Sequence, residues 1–354
     1  MSGEAKRMSK EIEIAGRKIG AGHPAFIIAE GCDNHLGNSA AAREMVTQAH
    51  KAGADAIKFQ HHLPDEEMLP DTPTSDNFDE PLYEFLKKYA LTLDQHRDLK
   101  AHCEATGIQY LCTPFSFAAA RELNSLGVCA YKIGSGEMTD VPSLEKIADF
   151  GQPMIVSTGM CTLDEIERTY LAVIARNPAL ALLNCVSESP PAYEDINLDV
   201  IGLMQKRFPE AVIGHSDHTP DLFTSFAAVT LGAHIIEKHV ILDKRQPGPD
   251  QSVSIDFDDL AELVDGIRKI EAARGTRREV HGREKPIRVW AFRSLVTTRA
   301  IQGGEIITDD MIWSKRPGTG IPSHRMEEVI GRRAARDLDE NILVGWDDFE
   351  PAAG

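Results

Sequence analysis

Positive charge is in short supply. The 354 residues carry 38 Lys and Arg against 55 Asp and Glu, a formal net charge of −17. That balance argues against a nucleic-acid surface, which needs a basic stripe. It leaves room for an anionic ligand, because a local cluster of cations can dominate a site. Cysteine is sparse as well: there are 6, with no CxxC pair and no zinc-knuckle spacing. They read as reduced, packed thiols. No apolar run reaches the roughly 18 residues that a transmembrane helix requires. The first residues, Met1 to Lys10, lack the apolar centre of a secretory signal. A cytoplasmic enzyme, with no nucleic-acid or membrane partner, is the expectation.

A glycine-rich phosphate turn is also missing. The first apolar run ends in Glu30-Gly31-Cys32-Asp33-Asn34-His35, which is no dinucleotide fingerprint. What is present is alternation. Short apolar runs fall at Ala25–Glu30, Ala56–Gln60, Gln109–Phe115, Ala130–Ser135, Met154–Thr158, Leu180–Val186, Ala211–Ser216 and His234–Val240. Helical stretches lie between them. Ser39–Ala52 starts at Asn38 or Ser39 and ends at Gly53; Asp94–Thr106 ends at Gly107; Phe117–Leu126 ends at Gly127. Leu163–Arg176, Leu222–Leu231 and Asp256–Ala273 continue the series. Strand and helix alternating in this way over roughly 250 residues predict an α/β fold, a (β/α)8 TIM barrel.

A barrel reading makes a demand on the strand ends, because barrel sites form at the C-terminal face. The runs end in Glu30; Lys58 and Gln60; Thr113; Lys132 and Ser135; Ser157 and Thr158; Ser187 and Glu188; His215, Ser216 and Asp217; and Glu237, Lys238 and His239. Lys58 and Lys132 sit inside apolar runs. A buried ammonium needs an anionic partner, so two of them on one rim suggest a bound phosphate or carboxylate.

The texture changes after residue 273. Residues 274–286 are charged and read as a linker. Residues 287–354 show short runs, many turns and little helix beyond Met326–Ile330. They suggest a small second domain of marginal stability on its own.

Nine stretches in order, FIIAEGCDNHLG, AGADAIKFQ, CTPFSF, YKIGSGEMTDVPSLE, PMIVSTGM, GHSDHTPD, GAHIIEKHVILD, PGPD and KRPGTGI, resemble the sialic acid synthase family of N-acetylneuraminate and other nonulosonate synthases. The resemblance spans nearly the whole chain. It implies a TIM barrel followed by a small C-terminal antifreeze-like (SAF) domain. It implies a transferase that condenses phosphoenolpyruvate with the open-chain aldehyde of an amino sugar, an N-acyl hexosamine, breaking the C–O bond to phosphate. It implies a domain-swapped homodimer in which each cap covers the partner's barrel.

Carried over residue by residue, the resemblance assigns phosphoenolpyruvate binding to Lys58, Thr113, Lys132, Ser135, Ser157, Ser187 and Ser216. Ammonium and hydroxyl donors suit phosphate and carboxylate oxygens. Glu30, with Lys58 and Lys132, is the catalytic candidate, positioning or deprotonating the attacking water. Gln60 and Asp250 would contact the sugar, and Arg316 would reach its N-acyl group in the partner's site. His218 and His239 would hold a divalent metal, Mn²⁺ by resemblance with Mg²⁺ or Co²⁺ possible, as a Lewis acid.

The pattern departs at Gly31 and Cys32, where the family carries Ile-Gly, and at His61, His62, Asn184, Ser187, Ser189 and Gln251. These departures fall on positions expected to face the sugar, so the resemblance implies a reaction type more than one aldose. A related 3-deoxy sugar acid synthase acting on a different aldose is the alternative. A Schiff-base lyase using Lys132 and a sugar- or ice-binding tail are more distant ones.

Overall fold

The computed structural model describes residues 11–73, 78 and 80–351. The chain divides into two compact units, split between Arg274 and Gly275.

The first unit opens with a hairpin, β1 (Ile12–Ile14) and β2 (Arg17–Ile19), which the alternation pattern missed because each strand is only 3 residues long. A closed parallel barrel follows. Its strands are β3 (Phe26–Glu30), β4 (Ala56–His61), β5 (Gln109–Pro114), β6 (Tyr131–Ile133), β7 (Met154–Ser157), β8 (Leu180–Cys185), β9 (Val212–Asp217) and β10 (Ile235–His239). β10 pairs with both β9 and β3 and so closes the ring. Every apolar run read as a strand is a barrel strand.

The helices between strands form where their caps are written. Asn38 accepts from the N–H groups of Ala40 and Ala41 to start Ser39–Ala52, and Gly53 ends it in the left-handed region at φ 87°. Thr92 and Thr162 each form a capping box, with Gln95 and Glu165. Five helical segments were missed: Pro64–Glu67, Leu82–Tyr89, Val141–Ala148, Tyr193–Ile196 and Val200–Arg207. Each is 8 residues or fewer, about two turns at most, which leaves only a brief apolar stripe.

Strand alternation sorts the barrel into two apolar layers. Outward-facing Ile57, Phe59, Val156, Leu182 and Ile236 pack beneath the helices with Met45, Leu99, Leu123 and Leu263. Inward-facing Phe26, Ile28, Ala56, Leu111, Ala130, Ile155, Leu183, Val212 and Ile235 form a separate interior core, together with Ile12, Ile14 and Ile19 of the hairpin. Gly214 belongs on this interior. A Cβ there would meet Leu183 Cδ2 at 2.5 Å and the Ile235 carbonyl at 2.6 Å, so only glycine fits.

The second unit is small and has its own core of Leu295, Ile301, Ile307, Met311, Ile312, Ile321, Val329 and Leu338, among others. β11 (Ser294–Thr297) pairs antiparallel with β12 (Ile312–Lys315). One expectation is corrected here. The stretch read as linker ends in a helix, Lys285–Ala291, with Pro286 in its first turn. Proline has no N–H to lose there, so it starts the helix rather than breaking it. Among the described residues, no helix is long and apolar enough to cross a membrane.

Candidate active site

The interior core stops where the strands turn polar. On β3 the inward series runs Phe26, Ile28, Glu30; on β4, Ala56, Lys58, Gln60; on β10, Ile235, Glu237, His239. The same two-residue step delivers Thr113, Lys132, Ser157, Cys185 and Ser216 from the other strands. These side chains line one cavity of about 260 Å³. Ser135, Ser187, His218 and Asp250 join it from the loops that follow. Every barrel residue assigned a catalytic, binding or metal-holding role is therefore in this cavity. Arg316 lies in the second unit, its guanidinium 5.6 Å from the centre of the Trp290 ring.

Two lysines define the cavity's charge. Lys58 donates to Thr113 Oγ1 at 2.7 Å and forms an ion pair with Glu30. Lys132 donates to Ser157 Oγ at 2.7 Å and lies 3.3 Å from Glu237 Oε1. Their anionic partners are thus protein carboxylates, which amends the argument that their burial requires a phosphate. Glu237 was not singled out as a site residue. Its signal was its spacing: it stands two residues before His239 on the same strand face. Ser216 donates to it at 2.9 Å.

The two carboxylates behave differently. Burial pushes Glu30 up to about 7, against the pull of Lys58. Burial also opposes ionisation of Glu237, but Lys132 and Lys58 outweigh it and hold that group down at about 2. Burial lowers Lys132, whereas Lys58 rises to about 12 because Glu30 and Glu237 overcome its burial. Two ammonium groups and one firmly ionised carboxylate leave the floor of the cavity suited to an anion.

Hydroxyls complete one wall. The Gly159 N–H donates to Ser135 Oγ at 3.0 Å. A Cβ on Gly159 would collide with the hydroxyls of both Ser135 and Ser187. The glycine lets the backbone approach these groups closely, as an anion cradle requires. Ser187 Oγ is buried without a hydrogen-bond partner.

The His218 and His239 rings meet edge to face with centroids 4.9 Å apart. Burial lowers His218 to about 4 and His239 to about 3, so both are neutral near pH 7. The Nδ1 atom of each is buried without a hydrogen-bond partner. A ring nitrogen of His239, the Cys32 thiol and an Asp250 oxygen lie within 4.8 Å of one another. Neutral imidazoles with unsatisfied nitrogens beside a carboxylate fit a divalent cation.

The sugar-facing expectations divide. Ser187 and Ser189 line the cavity; His61 and Gln251 do not. His61 faces the helices, edge-on to His96 at 4.8 Å, with Nε2 2.7 Å from Glu122. The Gln251 amide donates to the Lys244 carbonyl. His62 acts one step back. Its Nδ1 donates to Glu67 at 3.0 Å and its Nε2 donates to Gln60 Oε1 at 3.0 Å. Burial works against its charge, but Glu67 and Asp33 raise it above the ordinary value. With its oxygen taken, Gln60 turns its NH₂ toward Glu30, 3.3 Å away.

Five strand-end groups fall outside the cavity, Thr158 and Glu188 among them. Asp217 and Lys238 face outward as a buried pair 3.3 Å apart. His215 is buried with Nδ1 3.0 Å from the Asn184 carbonyl.

Fold and site define a (β/α)8 barrel whose C-terminal cavity gathers lysines, hydroxyls, carboxylates and histidines, followed by a small β-containing second unit. The NeuB family model matches residues 45–279, and the SAF domain model matches residues 292–350. The chain belongs to the NeuB family. It is 35% identical to the N,N'-diacetyllegionaminic acid synthase of Campylobacter jejuni subsp. jejuni, covering 90% of this chain and 98% of that relative. It is 34% identical to the human N-acetylneuraminate-9-phosphate synthase, covering 95% and 96%. The crystal structure of an N-acetylneuraminic acid synthetase from Leptospira borgpetersenii superposes with a TM-score of 0.73 at 31% identity, covering 79% of this chain and 95% of that one.

Proposed function

We propose that this enzyme condenses phosphoenolpyruvate with the open-chain aldehyde of an N-acyl hexosamine, giving a nonulosonic acid and phosphate. One observation carries the reading. Two buried lysines, each bonded to a hydroxyl, share a cavity with neutral histidines and a carboxylate pushed up to about 7.

Lys58 with Thr113, and Lys132 with Ser157, form two donor corners for the two anionic ends of phosphoenolpyruvate. Ser135, Ser187 and Ser216 supply further hydroxyls along the same wall. C3 of phosphoenolpyruvate bonds to the aldehyde carbon, and the aldehyde oxygen takes a proton to become a hydroxyl. Water adds to C2. The C2–O bond then breaks, and phosphate leaves with the bridging oxygen. Glu30, beside Lys58 and Gln60, positions that water and accepts its proton. His218, His239 and Asp250 would hold a divalent cation, Mn²⁺ by family resemblance, which supplies Lewis-acid polarisation of the aldehyde oxygen. Gln60 offers its NH₂ to an acceptor on the sugar. In a domain-swapped homodimer, Arg316 would bind the N-acyl carbonyl from the partner's cap.

The acceptor is identified by incubating the enzyme with phosphoenolpyruvate, a divalent cation and a panel of 2-acetamido and 2,4-diacetamido hexoses. One or more is expected to release phosphate and yield a stoichiometric nine-carbon keto acid by mass spectrometry. Turnover only with a phosphorylated aldose lacking an N-acyl group would favour the related 3-deoxy sugar acid synthase instead.

A further inference from the structure

The sequence places a cysteine where the backbone favours glycine. Cys32 follows β3 with φ at 37°, in the left-handed region that side chains other than glycine rarely adopt. Its thiol is fully buried. It lies with a His239 ring nitrogen and an Asp250 oxygen in the one group, among the described residues, of three or more metal-competent donors that all fall within 4.8 Å of one another. The three arrive from separate elements: the end of β3, the end of β10 and the loop beyond it. His239 is only 8% exposed, and its Nδ1 has no hydrogen-bond partner. Donors bound to a common ion at about 2.0–2.3 Å stand roughly 3–4 Å apart, so small side-chain adjustments bring these three onto one ion.

We propose that Cys32 is a sulfur ligand in the cation site of this enzyme, joining His239 and Asp250 and biasing the site toward cobalt(II) or zinc(II) over manganese(II). The inference rests on the reading above that a divalent cation occupies this wall of the cavity. Thiolate is a soft donor that suits zinc and its neighbours, whereas manganese prefers oxygen. Binding displaces the thiol proton to solvent. His218, edge-on to His239, stands ready as a further nitrogen donor. The cysteine that lines the cavity itself is Cys185, near Lys132 and Ser187 rather than in this group.

The test is a titration of the full-length, metal-free enzyme with Co²⁺ alone, followed by absorption spectroscopy and calorimetry. Cys32→Gly suits the left-handed backbone and Cys32→Ser preserves size, so at least one of them should fold normally. Wild type is expected to show a near-ultraviolet thiolate-to-cobalt charge-transfer band. Both variants should lose that band, bind Co²⁺ on the order of tenfold more weakly or worse, and show a smaller preference for Co²⁺ over Mn²⁺. Cys185→Ser should keep the band. Stoichiometric Co²⁺ with visible d–d bands but no charge-transfer band in wild type would overturn the sulfur ligand while sparing a histidine-based site. A band that survives in Cys32→Gly would overturn it too. No Co²⁺ bound to wild type at all would defeat the cation reading itself.

Discussion

Glu137 shows how one buried carboxyl sets a pH limit. It lines the cavity, its Oε2 has no hydrogen-bond partner, and burial raises it to about 7 from an ordinary 4.5. Below pH 4.5 the group is neutral in both folded and unfolded chains and costs nothing. As pH rises from 4.5 to 7 the unfolded chain ionises the group while the folded protein holds its proton, so stability is lost across that window and levels off above it. Glu137→Gln cannot ionise. The variant should gain on wild type as pH rises, by roughly 3 kcal/mol at pH 8 relative to pH 4, read from urea midpoints across that range. A constant difference between the two proteins would refute the shift. The legibility of single residues follows the same physics. Lys58, Lys132, Glu30 and the hydroxyls could be read because polar groups interrupt apolar runs. Glu237 and Cys32 were given no role. The first sits among other strand-end charges whose direction depends on register, and the second is apolar enough to pass for packing.

At the scale of elements, period-two alternation explains both what was legible and what was not. Each barrel strand carries apolar residues on both faces near its start, so all eight were visible as runs. Their ends carry polar groups on both faces, and composition alone does not say which face is which. Asp217 and Lys238 are the instructive pair. Placed at strand ends, they resemble catalytic groups, yet they face the helices. Asp217 accepts from the Thr219 N–H at 2.9 Å, Thr224 Oγ1 at 2.6 Å and Ser225 Oγ at 2.6 Å, and it neutralises Lys238. That network fastens the β9 end and the loop carrying His218. Removing one member of a buried pair leaves an uncompensated charge, typically at a cost of about 3–5 kcal/mol. Asp217→Ala should lose stability in that range by chemical denaturation, and adding Lys238→Met should restore part of it. An Asp217→Ala protein as stable as wild type would show that the network carries no structural weight. The four-residue helices and the β1–β2 hairpin stayed hidden because so few residues show no period, and the eight-residue helices because two turns give only a brief one.

For the whole molecule, the division after Arg274 separates the cavity from Arg316. In the swapped dimer proposed above, Arg316 would belong to a site completed by two chains. Arg316→Ala should raise KM for the sugar roughly ten- to a hundredfold, the loss of one charge-assisted hydrogen bond. It should lower kcat less, because the contact is remote from the reacting atoms. Mixing Arg316→Ala subunits with Lys132→Ala subunits should restore activity, since one site of each heterodimer then keeps both residues. No recovery after verified subunit exchange would place Arg316 in its own chain's site or outside any site.

The central claim, attack of water on C2 with loss of phosphate by C–O cleavage, is tested most directly with phosphoenolpyruvate carrying ¹⁸O at the bridging position. With the accepted aldose, the account predicts that the label leaves in inorganic phosphate. Label retained in the sugar acid would mean that the P–O bond breaks, and would contradict it.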